Sequence, residues 1–242
     1  MKTIALINNK GGVGKTTVAI NLSACLAKDN KKILLVDLDS QGSSGISLGF
    51  PRNPTGITMT DILFKDTPLK EGIRNTYLKN LDIVLAEKGL TNFDRVHNNI
   101  YILKKCIKQA ANSYDYIFLD CPPSSSLLTM NALIAADKLI IPVNPDYLSL
   151  EGLTLLTKDI LEPDSPFRIL INNVDIRRRI TVEVINHIRQ NYKNKVFTSE
   201  IKANVKLTET SSWHKSIFDY DDNSTGADNF RALGKEFLTW SK

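Results

Sequence analysis

Lys10 and Lys15 stand at either side of a glycine-rich turn in the run Asn9-Lys10-Gly11-Gly12-Val13-Gly14-Lys15-Thr16-Thr17. Glycines so spaced let successive backbone amides turn inward around an anion, and a helix beginning at the second lysine adds the partial positive charge of its N-terminus. The chemistry this suits is a grip on the phosphates of a nucleotide. Lys15 would reach the β- and γ-phosphates, the Thr16 hydroxyl would ligate magnesium, and Lys10, Gly11, Gly12, Val13, Gly14 and Thr17 would complete the cradle. Two acidic runs could serve the same centre. Ile117-Phe118-Leu119-Asp120 is an apolar run closing on a carboxylate, so Asp120 would hold magnesium through a water opposite Thr16. Val36-Asp37-Leu38-Asp39-Ser40-Gln41 closes on two. They would project the same way if a strand continued through Asp39. Asp37 would then sit in the outer magnesium shell or support the loop, unless both acids merely cap the following turn.

These groups need strands that end where they stand. Thr3 to Ile7 is apolar with no polar face, as expected of a strand buried in a parallel sheet. Similar runs recur at 33–37, 81–86, 116–120, 139–143 and 168–173, with a weaker one at 195–198. Helical patterns separate many of them, at 16–28, 95–113, 127–136, 148–161, 181–192 and from about Ala227 onward. The alternation predicts an α/β fold of three layers, a twisted, mostly parallel sheet with helices on both faces, and puts ligands at the carboxyl ends of the strands. Residues 41–74, rich in Gly, Pro, Ser and Thr, read as a surface excursion with a short helix near 60–64.

Composition narrows the classes. The 242 residues suffice for one α/β domain with a full core, so 1–242 reads as a single domain. No apolar stretch is long enough to span a membrane, and the first strand begins too early for a signal peptide, which predicts a cytoplasmic protein. Cys25, Cys106 and Cys121 lie in apolar runs and read as core residues, while His97, His187 and His214 are too scattered for a metal cluster. The formal net charge of +5 is uneven, with ten Lys/Arg against four Asp/Glu between Arg168 and Lys215.

The phosphate loop has Asn9 where the general pattern G-x-x-x-x-G-K-[ST] has its first glycine, and Lys10 follows. With D-x-D-x-Q at Asp37 to Gln41 and D-x-P-P at Asp120 to Pro123, the chain resembles the ParA/MinD family of P-loop ATPases, most of all its ParA (Soj-like) partitioning members. The resemblance runs over essentially the whole chain. It implies that Lys10 reaches across a dimer interface to the partner's ATP, although the residues alone also allow binding in cis or a solvated charge. It implies catalytic roles for Lys10, Lys15 and Asp39, the last activating or orienting the attacking water. It also implies adenine contact near Asn172-Asn173, with Asn172 preferred. ATP and magnesium would be the cofactors of a face-to-face homodimer.

In that family the C-terminal third binds DNA without sequence preference, and a ParB-like adaptor stimulates hydrolysis and release. Here Arg177, Arg178, Arg179, Arg189, Lys193, Lys195 and Lys206 would form the basic surface, nucleoid-associated when ATP is bound. The chain departs from the family at Lys202-Ala203-Asn204-Val205-Lys206, which lacks a proline and an arginine, and at Asp222-Asn223, which puts an acid near a basic position. The reading is therefore plasmid or chromosome partitioning, or cargo positioning. A MinD-like membrane switch is a second reading, but Phe230, Leu233, Phe237 and Trp240 on the last helix read as core. An ATP-dependent amide-forming ligase is a third, and no acid-binding constellation supports it. A cluster shared between two subunits, as in nitrogenase iron protein, would need two suitably placed cysteines per chain.

Overall fold

Seven strands form one sheet in a computed structural model that describes residues 1–110, 112–161 and 165–242. They are β1 (Lys2–Leu6), β2 (Ile33–Asp37), β3 (Ile73–Asn75), β4 (Leu81–Val84), β5 (Tyr116–Asp120), β6 (Lys138–Val143) and β7 (Phe167–Ile171). Their order is β3-β4-β2-β5-β1-β6-β7, all parallel except β3 against β4. The helices are α1 (Lys15–Lys28), α2 (Ser43–Ser47), α3 (Met59–Phe64), α4 (Phe93–Val96), α5 (Ile102–Lys108), α6 (Leu127–Ala135), α7 (Tyr147–Leu155), α8 (Arg179–Tyr192), α9 (Val205–Glu209), α10 (Ile217–Tyr220) and α11 (Thr225–Trp240).

Because side chains alternate along a strand, the sheet feeds two cores. Ala5, Leu34, Val36, Ile117, Leu119 and Ile141 pack with residues of α5 to α8. Ile4, Leu6, Leu35, Phe118, Ile140 and Leu170 pack with α1, α10 and α11. The three-layer expectation therefore holds, with β5 as the middle strand and β1 beside it, between β5 and β6. From β1 the chain crosses to β2 on one side, whereas β5 crosses past β1 to β6 on the other, and this reversal opens a crevice at the carboxyl end of β1. Phe230, Leu233 and Phe237 are fully buried, so the apolar stripe of α11 is core. No helix among the described residues is long and apolar enough to cross a membrane.

Three expectations are corrected. The helix expected over 95–113 is shorter: the Asn99 side chain accepts from the Tyr101 amide at 2.8 Å, an Asx turn that separates α4 from α5. Ala111, inside that expected range, lies outside the described residues. The weak strand at 195–198 contributes a single bridge, Val196 to Ile169, beside the edge strand β7. The helix expected over 148–161 ends at Leu155 and continues as a π-helical turn, Leu156–Ile160.

Candidate functional site

The loop between β1 and α1 gets its shape from its neighbours. The Asn8 amide donates to the Pro142 carbonyl at 2.8 Å, and its oxygen accepts from the Lys10 amide at 2.9 Å. The Asn172 amide donates to the Val13 carbonyl at 2.7 Å. Gly14 enters α1 at φ 89°, a left-handed conformation, and a Cβ there would stand 2.3 Å from the Asn172 side chain. While α6, α7 and α11 begin under a Ser or Asp side-chain cap, α1 has no side-chain cap and no acid in its first turn. Its leading amides and partial positive charge are therefore left for an anion.

Lys15 is buried, and its ammonium donates to the Asn8 and Lys10 carbonyls at 2.8 and 3.3 Å. Burial pulls its pKa down, and the nearby Asp120 carboxylate works against that. Asp120 ends β5 with no exposure to solvent. Its Oδ2 accepts from the Thr16 and Ser44 hydroxyls, each at 2.8 Å. Its Oδ1 is buried without a hydrogen-bond partner. Burial pushes this carboxyl up to about 6, against the pull of the two hydroxyls and Lys15. An orphaned carboxylate oxygen beside a threonine hydroxyl is a donor set of hard oxygens, and it fits a magnesium ion held through water.

Asp37 is engaged by the loop that follows it. It is fully buried, and its oxygens accept from the amides of Asp39, Ser44 and Gly45 at 3.1, 3.0 and 3.3 Å, tying down the start of α2. Burial, then the neighbouring Asp120, raises its pKa well above the usual range. β2 ends at Asp37, so Asp39 does not share its face; Asp39 turns into the loop and accepts from the Gln41 amide at 3.0 Å. There it lines a cavity of about 460 Å³ with Gly11, Gly14, Lys15, Thr16 and Arg52. A second space of about 280 Å³ continues past Gly12 and Thr17 to Asn172, Asn173, Lys202 and Asn204. The Asn172 amide is committed to the loop, and the exposed Asn173 lines the same space.

In the chain by itself Lys10 is paired rather than a free solvated charge. Its ammonium donates to both Asp146 oxygens at 2.8 and 2.9 Å and to the Ser149 hydroxyl at 3.1 Å. Asp146 also caps α7 through the Ser149 amide at 2.9 Å. Burial works to raise the Asp146 carboxyl, and the bonds from Lys10 and Ser149 outweigh it, leaving it below its ordinary value.

The basic surface expected of the C-terminal third is divided. Arg177 is bound by Asp175, Arg179 by Glu183 and Lys206 by Glu209, while Arg178 lies 3.7 Å from Asp175; all four are on the surface. Arg189 is turned inward onto Glu200 and the Phe197 and Thr198 carbonyls. Lys193 and Lys195 follow the far end of α8, whose 14 residues rise about 20 Å from the arginines. All three cysteines are buried, and burial raises the Cys121 thiol far above its ordinary value. No group of His, Cys, Asp and Glu that could hold a metal by itself occurs among the described residues.

Sequence reasoning gave no role to Asn8, Ser44 and Ser149 and did not pair Lys10 with Asp146. Asp146 carried a signal, since an acid three residues before Ser149 at the head of a helical run is a capping pattern. Ser44 carried none within its Gly- and Ser-rich loop.

An uncapped helix behind a two-lysine glycine loop, on a parallel sheet with a carboxylate at the end of the adjacent strand, defines a P-loop nucleotide-binding protein. Residues 1–165 match the AAA domain family AAA_31. The chain is 40% identical to "Chromosome partitioning protein ParA" of Myxococcus xanthus over 98% of this chain and 88% of that protein. It is 37% identical to "Sporulation initiation inhibitor protein Soj" of Bacillus subtilis over 97% of each. A putative plasmid partition protein of Borrelia burgdorferi, solved bound to AMPPNP, superposes with a TM-score of 0.85 at 26% identity, covering 98% of each chain. The chain belongs to the ParA/MinD family of P-loop ATPases. The fold alone spans other activities: cobyrinic acid a,c-diamide synthase of Mycobacterium smegmatis, solved with an ATP analogue and magnesium, has a TM-score of 0.82 at 24% identity over all of this chain and 96% of that one.

Proposed function

We propose that this ParA-like ATPase is a nucleotide-driven switch: ATP joins two copies face to face, the dimer holds DNA without reading its sequence, and hydrolysis stimulated by a ParB-like adaptor releases it. The observation that carries the reading is the second loop lysine, Lys10, held at the rim of the nucleotide cavity by Asp146 and Ser149. Lys10 is not among the residues that line the nucleotide cavity, which supports a role beyond gripping this chain's own phosphates. Lys10 leaves Asp146 and reaches the partner's nucleotide when the dimer forms. Lys15 and the amides that open α1 hold the phosphates in cis, and Asp39, turned into the cavity, orients the attacking water. Magnesium, carried by Thr16 and by the unsatisfied Asp120 oxygen through water, would neutralise phosphate charge. Relatives named for chromosome partitioning support a role in plasmid or chromosome segregation or in cargo positioning, on the nucleoid.

Binding to an arbitrary DNA duplex tests the reading, measured with ATP, ADP or no nucleotide over a range of salt, for the wild type and Arg178→Glu. Binding confined to ATP, weakened by salt and by the charge reversal, is the expected result. Absence of binding with every nucleotide would remove DNA as the track. The switch is tested by Lys10→Ala: ATP-dependent dimerisation and hydrolysis that both survive would defeat the role in trans.

A further inference from the structure

A cavity of about 550 Å³ opens between α7 and α8, where β7 begins and α8 ends, and it shares no lining residue with the nucleotide cavities. Lys158 enters it from one wall, and His187, Lys193 and Lys195 from the other. No carboxylate is among the described residues that line it. Two contacts tie its lining together. The Lys195 ammonium sits 4.5 Å from the centre of the Phe167 ring, and the Tyr192 and Thr157 hydroxyls bond across the two walls at 3.1 Å.

Both walls also carry irregular backbone at this point. The π-helical turn at Leu156–Ile160 supplies Thr157 and Lys158. Lys193 closes α8 at φ 45° and ψ −116°, a conformation that costs a side-chain-bearing residue on the order of 1–3 kcal/mol. Departures of both kinds collect at ligand sites, where the surroundings hold them. Here they aim lysines into one concavity from two directions.

We propose that this cavity is a second anion site, apart from the phosphate loop, that takes a small organic phosphate of nucleotide size. Lys158, Lys193 and Lys195 meet the phosphate oxygens, and the exposed amides of Asn191 and Asn194 at the rim meet the polar edge of the organic part. The volume lies in the range of small-molecule sites. A duplex backbone is a convex rod and does not enter a pocket of this shape. The wall that supplies Leu150 and Thr154 is α7, whose first turn holds Lys10 through Asp146, so an occupant packs against the element that positions Lys10.

The experiment uses the full chain saturated with magnesium and fluorescent ADP, titrated calorimetrically with adenosine 3′,5′-bisphosphate and separately with inorganic phosphate. The expected result is one further equivalent of bisphosphate bound, weakening with salt, with the fluorescent ADP retained. Lys193→Ala/Lys195→Ala lowers that affinity about ten-fold or more while ADP affinity stays, as loss of two charge-assisted contacts requires. Lys158→Ala, from the opposite wall, lowers it independently should the double variant fold poorly. No binding beyond ADP, binding that expels the ADP, or binding untouched by both variants overturns the proposal. Inorganic phosphate binding as tightly as the bisphosphate overturns the nucleotide-sized assignment. Loss of duplex binding in the double variant, with no bisphosphate bound by the wild type, gives the surface to DNA instead.

Discussion

Asp120 is a carboxylate kept in the wrong medium for its charge, and the cost has a sign that can be measured. Its pKa is about 6 in the folded chain and near 3.8 unfolded, so between those values the native state holds a proton that the unfolded state releases. This group's contribution to stability therefore falls as pH rises from about 4 to about 6, and above that the buried charge carries its full cost. Asp120→Asn keeps an acceptor for Thr16 and Ser44 and removes the charge. We predict that the nucleotide-free variant is more stable than wild type at pH 7.5 by on the order of 1 kcal/mol, and that the gap closes toward pH 4. Magnesium-dependent nucleotide binding should be lost at the same time. Urea titrations across pH decide it, and a variant less stable than wild type at neutral pH would show that Asp120 is satisfied where it stands. At the other side of the loop, Asp146 restrains Lys10 through a pair whose side chains are 45% and 36% exposed, so the pair is worth about 0.2–1 kcal/mol. Asp146→Asn weakens that restraint, and ATP-dependent dimerisation should tighten by up to about five-fold in sedimentation. Weaker dimerisation would mean that Asp146 helps to place Lys10 rather than to hold it back.

Elements locate these residues, and α11 is the element whose burial matters most to the choice of function. Phe237 is fully buried, with ring centroids 5.2 Å from Tyr116 and 5.6 Å from Phe118 on β5. Phe237→Ala opens a cavity in that core and should cost about 3–5 kcal/mol in urea unfolding. A loss below about 1 kcal/mol would mean that α11 leaves the sheet easily and is free to meet another surface. The stripe of α11 was legible because its apolar residues recur at helical spacing, and β1, β2, β5, β6 and β7 because strands covered on both faces are apolar throughout. β3 was not legible. Ile73-Arg74-Asn75 is a three-residue antiparallel edge with one apolar side chain, too short to show a period. The site divides the same way. Lys15, Thr16 and Asp120 follow from local spacing, because strand, loop and helix fix them. The Lys10–Asp146 pair spans 136 positions and exists only because β6 lies beside β1. The layout of the basic surface was not legible either, because cations close in sequence are set apart in space: α8 places Arg177 to Arg179 about 20 Å from Lys193 and Lys195.

At the scale of the whole molecule, the carboxyl edge of the sheet combines two features that a lone chain does not resolve. The nucleotide cavity opens there, and large apolar side chains stand uncovered in the segments that follow the carboxyl ends of β6 and β7. Tyr147 and Leu148, directly after the Lys10 partner Asp146, are 71% and 67% exposed, and Ile176, past the end of β7, is 68% exposed. Large apolar groups left exposed on one edge favour a covering surface. A second copy presenting the same edge would bury them and set its own Lys10 toward this cavity, since a twofold interface uses one patch on both subunits. Leu148→Asp places a charge in that patch without touching the loop, because Leu148 points to solvent. The variant should bind nucleotide as wild type does and remain a monomer with ATP, as read by light scattering across a sizing column. Its DNA binding should fall in step if the dimer is what holds DNA. A Leu148→Asp chain that still dimerises with ATP would move the interface off this edge, and with it the case for Lys10 acting across it.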